Sequence, residues 1–517
     1  MNQEQKAKNL ALEFIAISRE FRLGSLPTES PHPQTQNLSR DSKQHLSSAI
    51  QSILGIDREV FLKLGHSLLE LKGLQEAVHL TLKNKGRIFL CGCGATGRLS
   101  LALETIWRDQ HQKNSELRDK VISFMAGGDV ALIHSVEKFE DFPEFGERQL
   151  KELGFREGDL LIACTEGGET PFVIGATEAA ISLSKQPPYF LYCNPDDILL
   201  ETAERSKRVI ENTQIKKINL TVGEMALTGS TRMQATTILM YAVGLALWFY
   251  DKDFSELQSE LNKMNKFLNE ESFDFLQPFI ECESELYKKG EYLFYETDGK
   301  LGISILTDTT ERSPTFSLYP FENQNDLIKH PSLSYLYFPH AINPTEAWRE
   351  LLGRLPRTFH WEEVTAETSE KRLMGFDFSK NLKEKRALYL NAPHTHFKIS
   401  FDENANALIF NLKNHEAHLF LKDLNFLSAH LVLKISLNNL STLIMGRLDR
   451  YESNLMTWVR ASNNKLVDRT VRYVDTLLKQ KGITISYEEL VHACFRMKDQ
   501  IPKDQSLVLK MVQEFTS

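Results

Sequence analysis

Short apolar runs alternate with longer amphipathic segments in the first half of the chain. The four runs are RIFLC (87–91), VISFM (121–125), DLLIAC (159–164) and YFLYC (189–193). They are short enough to be strands, whereas the segments between them repeat their apolar residues at helical spacing. Strands separated by helices are typical of βαβ units, so this half is predicted to be an α/β domain with a parallel sheet.

The same alternation starts again near residue 290. EYLFYETDGKLGISILTDTTERSPTF (291–316) gives a strand, a glycine turn and a helix in succession. Further apolar runs, each predicted to be a strand, lie at 334–343, 386–390, 406–412 and 423–427. Each half also has one long apolar helix, at 230–250 and at 431–448. A similar plan used twice in one chain indicates duplication.

The segments outside these two alternations are predicted to be helices and loops. Residues 1–25 look helical, and LPTESPHPQTQNLSR (26–40) is an arm with three prolines. The end of the chain is helical and charged. We therefore divide the chain into an N-terminal helix and arm, a first domain, a second domain and a C-terminal helical segment, with boundaries at 1–45, 46–285, 286–465 and 466–517.

Composition narrows the class of protein. A chain of 517 residues has room for two or more domain cores. Its net charge of −8 and its lack of a basic tract exclude a general affinity for nucleic acid. No apolar run approaches the roughly 20 residues of a membrane span, and the polar N-terminus is unlike a secretory signal. Six sparse cysteines are expected to be reduced thiols in a cytoplasmic protein, and neither a metal nor a cofactor is predicted.

The stretch CGCGATGRLS (91–100) is the first candidate for binding chemistry. Gly92, Gly94 and Gly97 allow a tight turn, and Thr96 adds a hydroxyl at the start of the following helix. Backbone N–H groups at a helix N-terminus favour an anion such as phosphate. A dinucleotide site would need an acidic residue after the next strand, and the sequence has none there. A tight turn without any ligand stays an open alternative.

Several motifs, in order along the chain, resemble those of the N-acetylmuramic acid 6-phosphate etherases, which are sugar isomerase (SIS) domain proteins. CGCGATGRLS resembles the GxGTSGRL loop of that family. Similar segments are TESPHPQTQNLS (28–39), MAGGDVALIHSVEKFED (125–141), CTEGGETPFVIGA (164–176), YCNPDD (192–197) and ALTGSTRMQATT (226–237). The resemblance implies a flavodoxin-like, three-layer SIS domain in the first half.

The second half resembles the same family more partially. GKLGISILTDTTERSPTF (299–316) and NNLSTLIMGRLDRYESNLMTWVRASNNKL (438–466) are its two similar segments. Etherases have one such domain per subunit, whereas the glucokinase regulatory protein of animals has two in one chain. The resemblance therefore implies tandem SIS domains, each a flavodoxin-like parallel sheet with helices on both faces. It also implies a sugar phosphate ligand, and a sugar kinase or another protein as partner.

The resemblance also implies the site residues. The second half lacks counterparts of the glycine and hydroxyl segments, so one ligand site is expected, in the first half. In the regulatory protein a lysine of the second domain reaches the sugar phosphate; Lys465 matches it here, although a solvated helix lysine is the alternative. The expected ligand-binding residues are Gly94, Ala95, Thr96, Gly97, Thr165, Glu166, Gly167, Ser230, Arg232 and Lys465.

Two glutamates carry out the elimination in the etherase family. One matches Glu140, but Ile106 stands at the other position in the first half, and Glu104 points elsewhere on the helix. Glu311 matches that glutamate in the second half. A composite etherase site using Glu140 with Glu311 is therefore the alternative to a regulatory sugar phosphate-binding protein. A sugar phosphate isomerase is a third class, for which no second catalytic group is evident.

Three departures from the family motifs concern the charge of the site. Gln234 replaces a lysine, and Glu166 and Glu169 stand where relatives have small residues or arginine. A carboxylate close to a phosphate is unfavourable unless it is turned to another group. We expect Glu166 to bond sugar hydroxyls and Glu169 to face solvent.

Overall fold

A computed structural model describes residues 3–136 and 139–516. Its strands form two five-stranded sheets, one in each half of the chain. The strands of the first sheet are β1 (Ile88–Gly92), β2 (Val121–Met125), β3 (Leu160–Cys164), β4 (Tyr189–Tyr192) and β5 (Lys216–Asn219). Those of the second are β6 (Tyr292–Glu296), β7 (Ser334–Tyr337), β8 (His394–Asp402), β9 (Ala407–Leu412) and β10 (His415–Phe420).

The helices surround and join these sheets. In the first half they are α1 (Gln3–Ile17), α2 (Leu38–Gln44), α3 (Leu46–Leu64), α4 (Leu68–Lys83), α5 (Ala95–Gln110), α6 (Ser115–Arg118), α7 (Pro143–Glu152), α8 (Pro171–Leu183), α9 (Asp196–Thr202), α10 (Glu204–Glu211), α11 (Gln234–Trp248), α12 (Phe254–Glu270) and α13 (Gln277–Lys288). In the rest of the chain they are α14 (Gly299–Phe316), α15 (Pro344–Leu352), α16 (Thr365–Thr368), α17 (Glu370–Met374), α18 (Asn381–Ala387), α19 (Phe426–Arg447), α20 (Asn464–Gln480), α21 (Tyr487–Met497) and α22 (Leu507–Thr516). Among these described helices, none is long and apolar enough to cross a membrane.

The two sheets share one strand order but complete it differently. The first sheet runs β2-β1-β3-β4-β5 with all neighbours parallel, which is the flavodoxin-like order. The second runs β10-β9-β8-β6-β7, the same order when its strands are counted within their own half. However, β9 runs antiparallel to both of its neighbours, β8 and β10. The α/β fold of both halves is thus confirmed, but the purely parallel second sheet that we expected is wrong.

The short connections between β8, β9 and β10 explain their antiparallel pairing. A parallel crossover needs about a dozen residues, whereas the links 403–406 and 413–414 allow only hairpins. The left-handed backbone of Asn406 and Lys413 makes these turns. The regular alternation of β8, in which Phe397 and Ile399 are buried between exposed or half-buried neighbours, was not recognised in the sequence. β5 and β10 were also missed in the sequence, because few of their residues are buried and neither strand forms an apolar run.

Two predicted strands of the second half are wrong. Residues 386–390 are the end of α18 and the turn after it, and 423–427 lead into α19. Arg386 is fully buried and bonds the Glu322 carboxylate at 2.7 Å. Residues 386–390 are therefore held by this buried ion pair and not by strand pairing. The other predicted strands and both long apolar helices are confirmed.

Four of the helices that join the two halves surround the junction between them. α5 packs against α14, and the apolar helices α11 and α19 pack against each other. Gly244 of α11 leaves room for Leu427 of α19, since a Cβ there would lie 2.8 Å from its Cδ1. Buried helices of this kind must be apolar all round, which explains why neither shows a clear polar face.

Glycines fix the position of the loop that precedes α8. A Cβ at Gly146 of α7 would lie 2.0 Å from the Phe172 carbonyl oxygen, and one at Gly175 of α8 would lie 2.1 Å from the Pro143 carbonyl oxygen. The two helix backbones therefore touch at both places, and no larger residue fits at either glycine.

Gly175→Ala is expected to lower the free energy of unfolding by at least about 2 kcal/mol, because the added methyl group meets backbone that cannot move aside. Gly73→Ala in α4 is the matched control. Its Cβ would meet only the Tyr189 hydroxyl at 3.8 Å, so it should stabilise the helix by about 0.5–1 kcal/mol. Urea unfolding followed by circular dichroism measures both; similar small effects would contradict a backbone contact between α7 and α8.

Candidate functional site

The loop between β1 and α5 leaves an open space at a helix N-terminus. Gly92 lies so close to Thr96 that a Cβ would be 2.3 Å from its backbone. Gly94 has a left-handed φ of +54° and nothing within 4 Å of the place where a side chain would be. The Thr96 hydroxyl accepts a bond from Cys93 N–H and donates to the Cys93 carbonyl, so it closes the loop. The space beside Gly94 and Ala95 is thus lined by backbone.

A second loop, residues 165–170, joins β3 to α8. The hydroxyls of Thr165 and Thr170 are 2.9 Å apart, and Thr165 also accepts the Gly168 N–H. Asn194 donates to the Gly167 carbonyl and to Thr28 of the N-terminal arm. The predicted residues Thr165 and Gly167 therefore lie together in a loop that the arm holds in place, while Thr170 was not singled out in the sequence.

The two halves differ in how their helix N-termini are capped. In the part of the chain that is described, no side chain caps α5 or α8. In the second half, Asp298 accepts the Lys300 N–H of α14, and Asn343 accepts the Glu346 N–H of α15. Exposed N–H groups at a helix start attract anions, whereas a capped start has already satisfied one of them. Of these four corresponding helices of the described chain, α5 and α8 therefore begin without a side-chain cap, whereas α14 and α15 begin with one.

Lys465 reaches from the start of α20 into the first half. Its Nζ lies 2.9 Å from the Glu169 carboxylate and 4.0 Å from that of Glu140. Glu169 also bonds Arg205 at 2.6 Å. Burial alone would raise the pKa of Glu169, but Lys465 and Arg205 outweigh it and lower that pKa to about 2. Our expectation that Glu169 faces solvent is therefore wrong: it is buried because two cations compensate its charge.

Glu166 is a buried carboxylate in a different situation. It is 8 % exposed, and its Oε1 accepts the Thr236 hydroxyl at 3.0 Å. Within the described residues, it forms no ion pair with a lysine or arginine. Burial raises its pKa to about 7, and the negative charge of Glu311 acts in the same direction.

Ser230 and Arg232 occupy different surroundings, although two residues apart. The Ser230 hydroxyl is buried and has no hydrogen-bond partner in the described structure. Arg232 turns to the second half, where it bonds Asp308 at 2.9 Å and Thr442 at 2.8 Å. The structure thus leaves the Ser230 hydroxyl free for another group, whereas the two terminal nitrogens of Arg232 are engaged by the second half and only its Nε has no partner in the described structure.

A cavity, partly open to solvent, lies where α5, α11, α14 and α19 meet. The Arg98 guanidinium spans it to the Glu311 carboxylate at 2.5 Å. Lys434 lies in its wall and bonds the Thr237 hydroxyl at 2.6 Å. Sequence reasoning missed Arg98 and Lys434, although Arg98 belongs to the segment CGCGATGRLS that resembles a family motif.

The candidate catalytic glutamates have different cationic neighbours: Glu140 lies 4.0 Å from Lys465, and Glu311 is paired with Arg98. Burial raises the pKa of Glu140, and Glu169 adds to this while Lys465 opposes it. Ile106 is buried in the core, and the Glu104 carboxylate bonds Arg354 and Arg357, so Glu104 points away as expected. Two residues of the segment before Glu140, at 137–138, lie outside the described residues.

Comparison with known proteins supports the expected resemblance for part of the first half. Residues 72–181 match the family model described as the glucokinase regulatory protein N-terminal SIS domain.

Curated relatives of this chain include N-acetylmuramic acid 6-phosphate etherases. The protein from Actinobacillus pleuropneumoniae serotype 7 is 26% identical over 295 residues, covering 56% of this chain and 91% of the relative. That from Bacillus subtilis is 26% identical over 308 residues, covering 58% and 94%. Among solved structures, a putative tagatose-6-phosphate ketose/aldose isomerase from Clostridium novyi has a TM-score of 0.41 and 11% identity, covering 80% of this chain and 92% of that one. Little more than half of this chain thus aligns with nearly the full length of an etherase.

Glu166→Gln is expected to stabilise the protein in a pH-dependent way. A carboxyl whose pKa is raised on folding weakens the fold as pH rises from the unfolded value, 4.5, to about 7. The variant should therefore match the parent near pH 5 and exceed it by up to about 3 kcal/mol at pH 8. Urea unfolding in buffers without phosphate measures the difference.

The control for this prediction is Glu169→Gln. The pKa of Glu169 is lowered to about 2, so its stabilising contribution is lost only as pH falls through that range. The control should destabilise the protein equally at pH 6 and pH 8. A pH-independent effect of Glu166→Gln would contradict the assigned environment of Glu166.

Proposed function

We propose that this protein binds a hexose or amino-sugar phosphate in the first SIS domain, as a regulatory protein of the glucokinase-regulatory type. We place the ligand in the cleft between the loop after β1, the loop 165–170 and Lys465 of α20. The observation that carries this proposal is the uncapped start of α5 and α8 beside the open space at Gly94. Two helix N-termini without side-chain caps offer N–H groups to a phosphate dianion. The unpartnered Ser230 hydroxyl supplies a further donor.

The acidic residues of the cleft are compatible with a phosphate ligand because their charges are largely compensated. Glu169 is paired with Arg205 and Lys465, and Glu311 is paired with Arg98. Lys465 carries three donors, so it can bond a phosphate while it remains close to Glu169. The Lys465 ammonium is the cation that we assign to the ligand.

Ligand binding in this cleft has a route to the protein surface. Glu29 of the N-terminal arm bonds Arg469 at 2.6 Å and Arg472 at 2.9 Å, both on α20. The same helix carries Lys465, and the same arm contacts the loop after β3 through Asn194. A ligand that bonds Lys465 would shift the conformational equilibrium of α20 and of the arm attached to it. We propose that binding is transmitted in this way to a sugar kinase or another protein partner.

Lys465→Met is expected to abolish most of the stabilisation that a sugar phosphate gives. A ligand at 100 times its Kd stabilises the native state by about 2.7 kcal/mol, which a thermal-shift assay detects. Fructose 6-phosphate, glucosamine 6-phosphate and N-acetylmuramic acid 6-phosphate form the panel. Lys479→Met, which removes an exposed lysine of the same helix, is the control and should respond like the parent protein. Equal ligand-induced thermal shifts in both variants would show that Lys465 does not bind the ligand.

An etherase is the second candidate function, and one observation favours it. Glu311 of the second half lies close enough to the first half to bond Arg98 and to influence Glu166. A composite pair of Glu140 and Glu311 would then replace the glutamate lost at Ile106. Against this, the Glu311 carboxylate is held by a guanidinium, and general acid catalysis needs a carboxyl group that can give up a proton.

We therefore expect no lactate release at catalytic rates when the protein is incubated with N-acetylmuramic acid 6-phosphate. An enzyme-coupled lactate assay measures this directly. Release that is lost in both Glu140→Gln and Glu311→Gln would replace the regulatory function by the etherase. Release that survives in both variants would point to a contaminating enzyme.

A further inference from the structure

Four glutamates around the cleft have a cationic partner, whereas Glu166 has none in the part of the chain that the structure describes. Glu29 pairs with Arg469 and Arg472, Glu169 with Arg205 and Lys465, Glu311 with Arg98, and Glu140 with Lys465 at the limit of an ion pair. A buried carboxylate without a cation is costly, so it is rarely retained without a use.

Glu166 lies between the two loops of the proposed site. It directly precedes Gly167 in the loop after β3, and its carboxylate bonds Thr236, which lines the cavity between the halves. The charges of Glu166 and Glu140 both act on the thiol of Cys93 in the loop after β1. Glu311 and Lys465 are the other charged groups that act on Glu166. The missing cation would therefore have to come from the cleft itself.

A phosphate ester alone does not solve this problem, because its negative charge repels the carboxylate. A protonated amine on the same ligand does, since close charge pairs in a desolvated site contribute strongly to affinity. An amide, as in an N-acetylated sugar, offers one neutral N–H donor and no charge. The ordinary sugar hydroxyl is likewise neutral. Buried next to Thr236, Glu166 discriminates between these groups by charge.

We propose that the ligand is a phosphorylated amino sugar with a free, protonated amine, and that Glu166 selects it over N-acetylated and amine-free sugar phosphates. This inference rests on the proposed function, because it assumes that a sugar phosphate occupies the cleft. The raised pKa of Glu166 agrees with it, since such a group gains most from a cation that arrives with the ligand.

Isothermal titration of the full chain at pH 7.5, in a buffer without phosphate, tests the proposal. The probes are glucosamine 6-phosphate, N-acetylglucosamine 6-phosphate and glucose 6-phosphate. The first is expected to bind at least about tenfold more tightly than the other two. In Glu166→Gln, the three dissociation constants should agree within about threefold, mainly because glucosamine 6-phosphate is weakened.

Glu178→Gln is the matched control, because it removes a carboxylate of α8 that pairs with Arg208 at the surface. It should keep the preference for the amine. Urea unfolding of Glu166→Gln verifies that the variant is folded, as its predicted stabilisation requires.

The outcomes separate this inference from the proposed function. Equal affinity of the parent protein for all three phosphates would overturn the selection by Glu166 and leave sugar phosphate binding intact. An equal loss for all three in Glu166→Gln would assign Glu166 to sugar hydroxyls and also overturn it. Failure of every phosphate to bind would overturn the proposed function and this inference with it.

Discussion

The ion pair between Lys465 and Glu169 joins the end of the chain to the loop on which the site depends. Both groups are largely withdrawn from water, and a charge in that situation is tolerated only when its partner is held in place. Arg205 completes the pairing of Glu169, and Glu29 ties α20 to the N-terminal arm. The close contact of α7 with α8 fixes the loop that carries Glu169. The cleft is therefore built from segments that are far apart in sequence.

The two halves share one strand order but differ in strand direction and in the caps of their helices. The first half completes its sheet with parallel strands and leaves the starts of α5 and α8 uncapped. The second half completes its sheet with hairpins and caps α14 and α15 with Asp298 and Asn343. Those caps satisfy N–H groups that a ligand would otherwise use. The second half instead lines the junction with α14 and α19, and Glu311 and Lys434 project from them towards the shared cavity.

Pairing of charge across the junction also explains why substitutions from the family motifs are tolerated. Glu169 stands where relatives have arginine, and the cations of Arg205 and Lys465 compensate the reversal. Glu166 stands where relatives have a small residue, and no cation of the described chain compensates it. The first of these changes thus preserves the charge balance of the cleft, and the second is the one on which the proposed selection of the ligand rests.

The local pattern of the sequence determined much of the fold and part of the site. Apolar runs predicted β1–β4, β6, β7 and β9, and the glycine motif placed Gly94 at a helix start, because strand burial and backbone turns depend on neighbouring residues. The strands β5, β8 and β10 and the helical end of residues 386–390 escaped this reasoning, because their burial depends on distant partners such as Glu322. Tertiary structure alone decided that Glu169 is buried, that Arg232 faces Asp308, and that Glu166 has no cation. The environment of a charge is set by whatever folds against it, and no spacing along the chain records that.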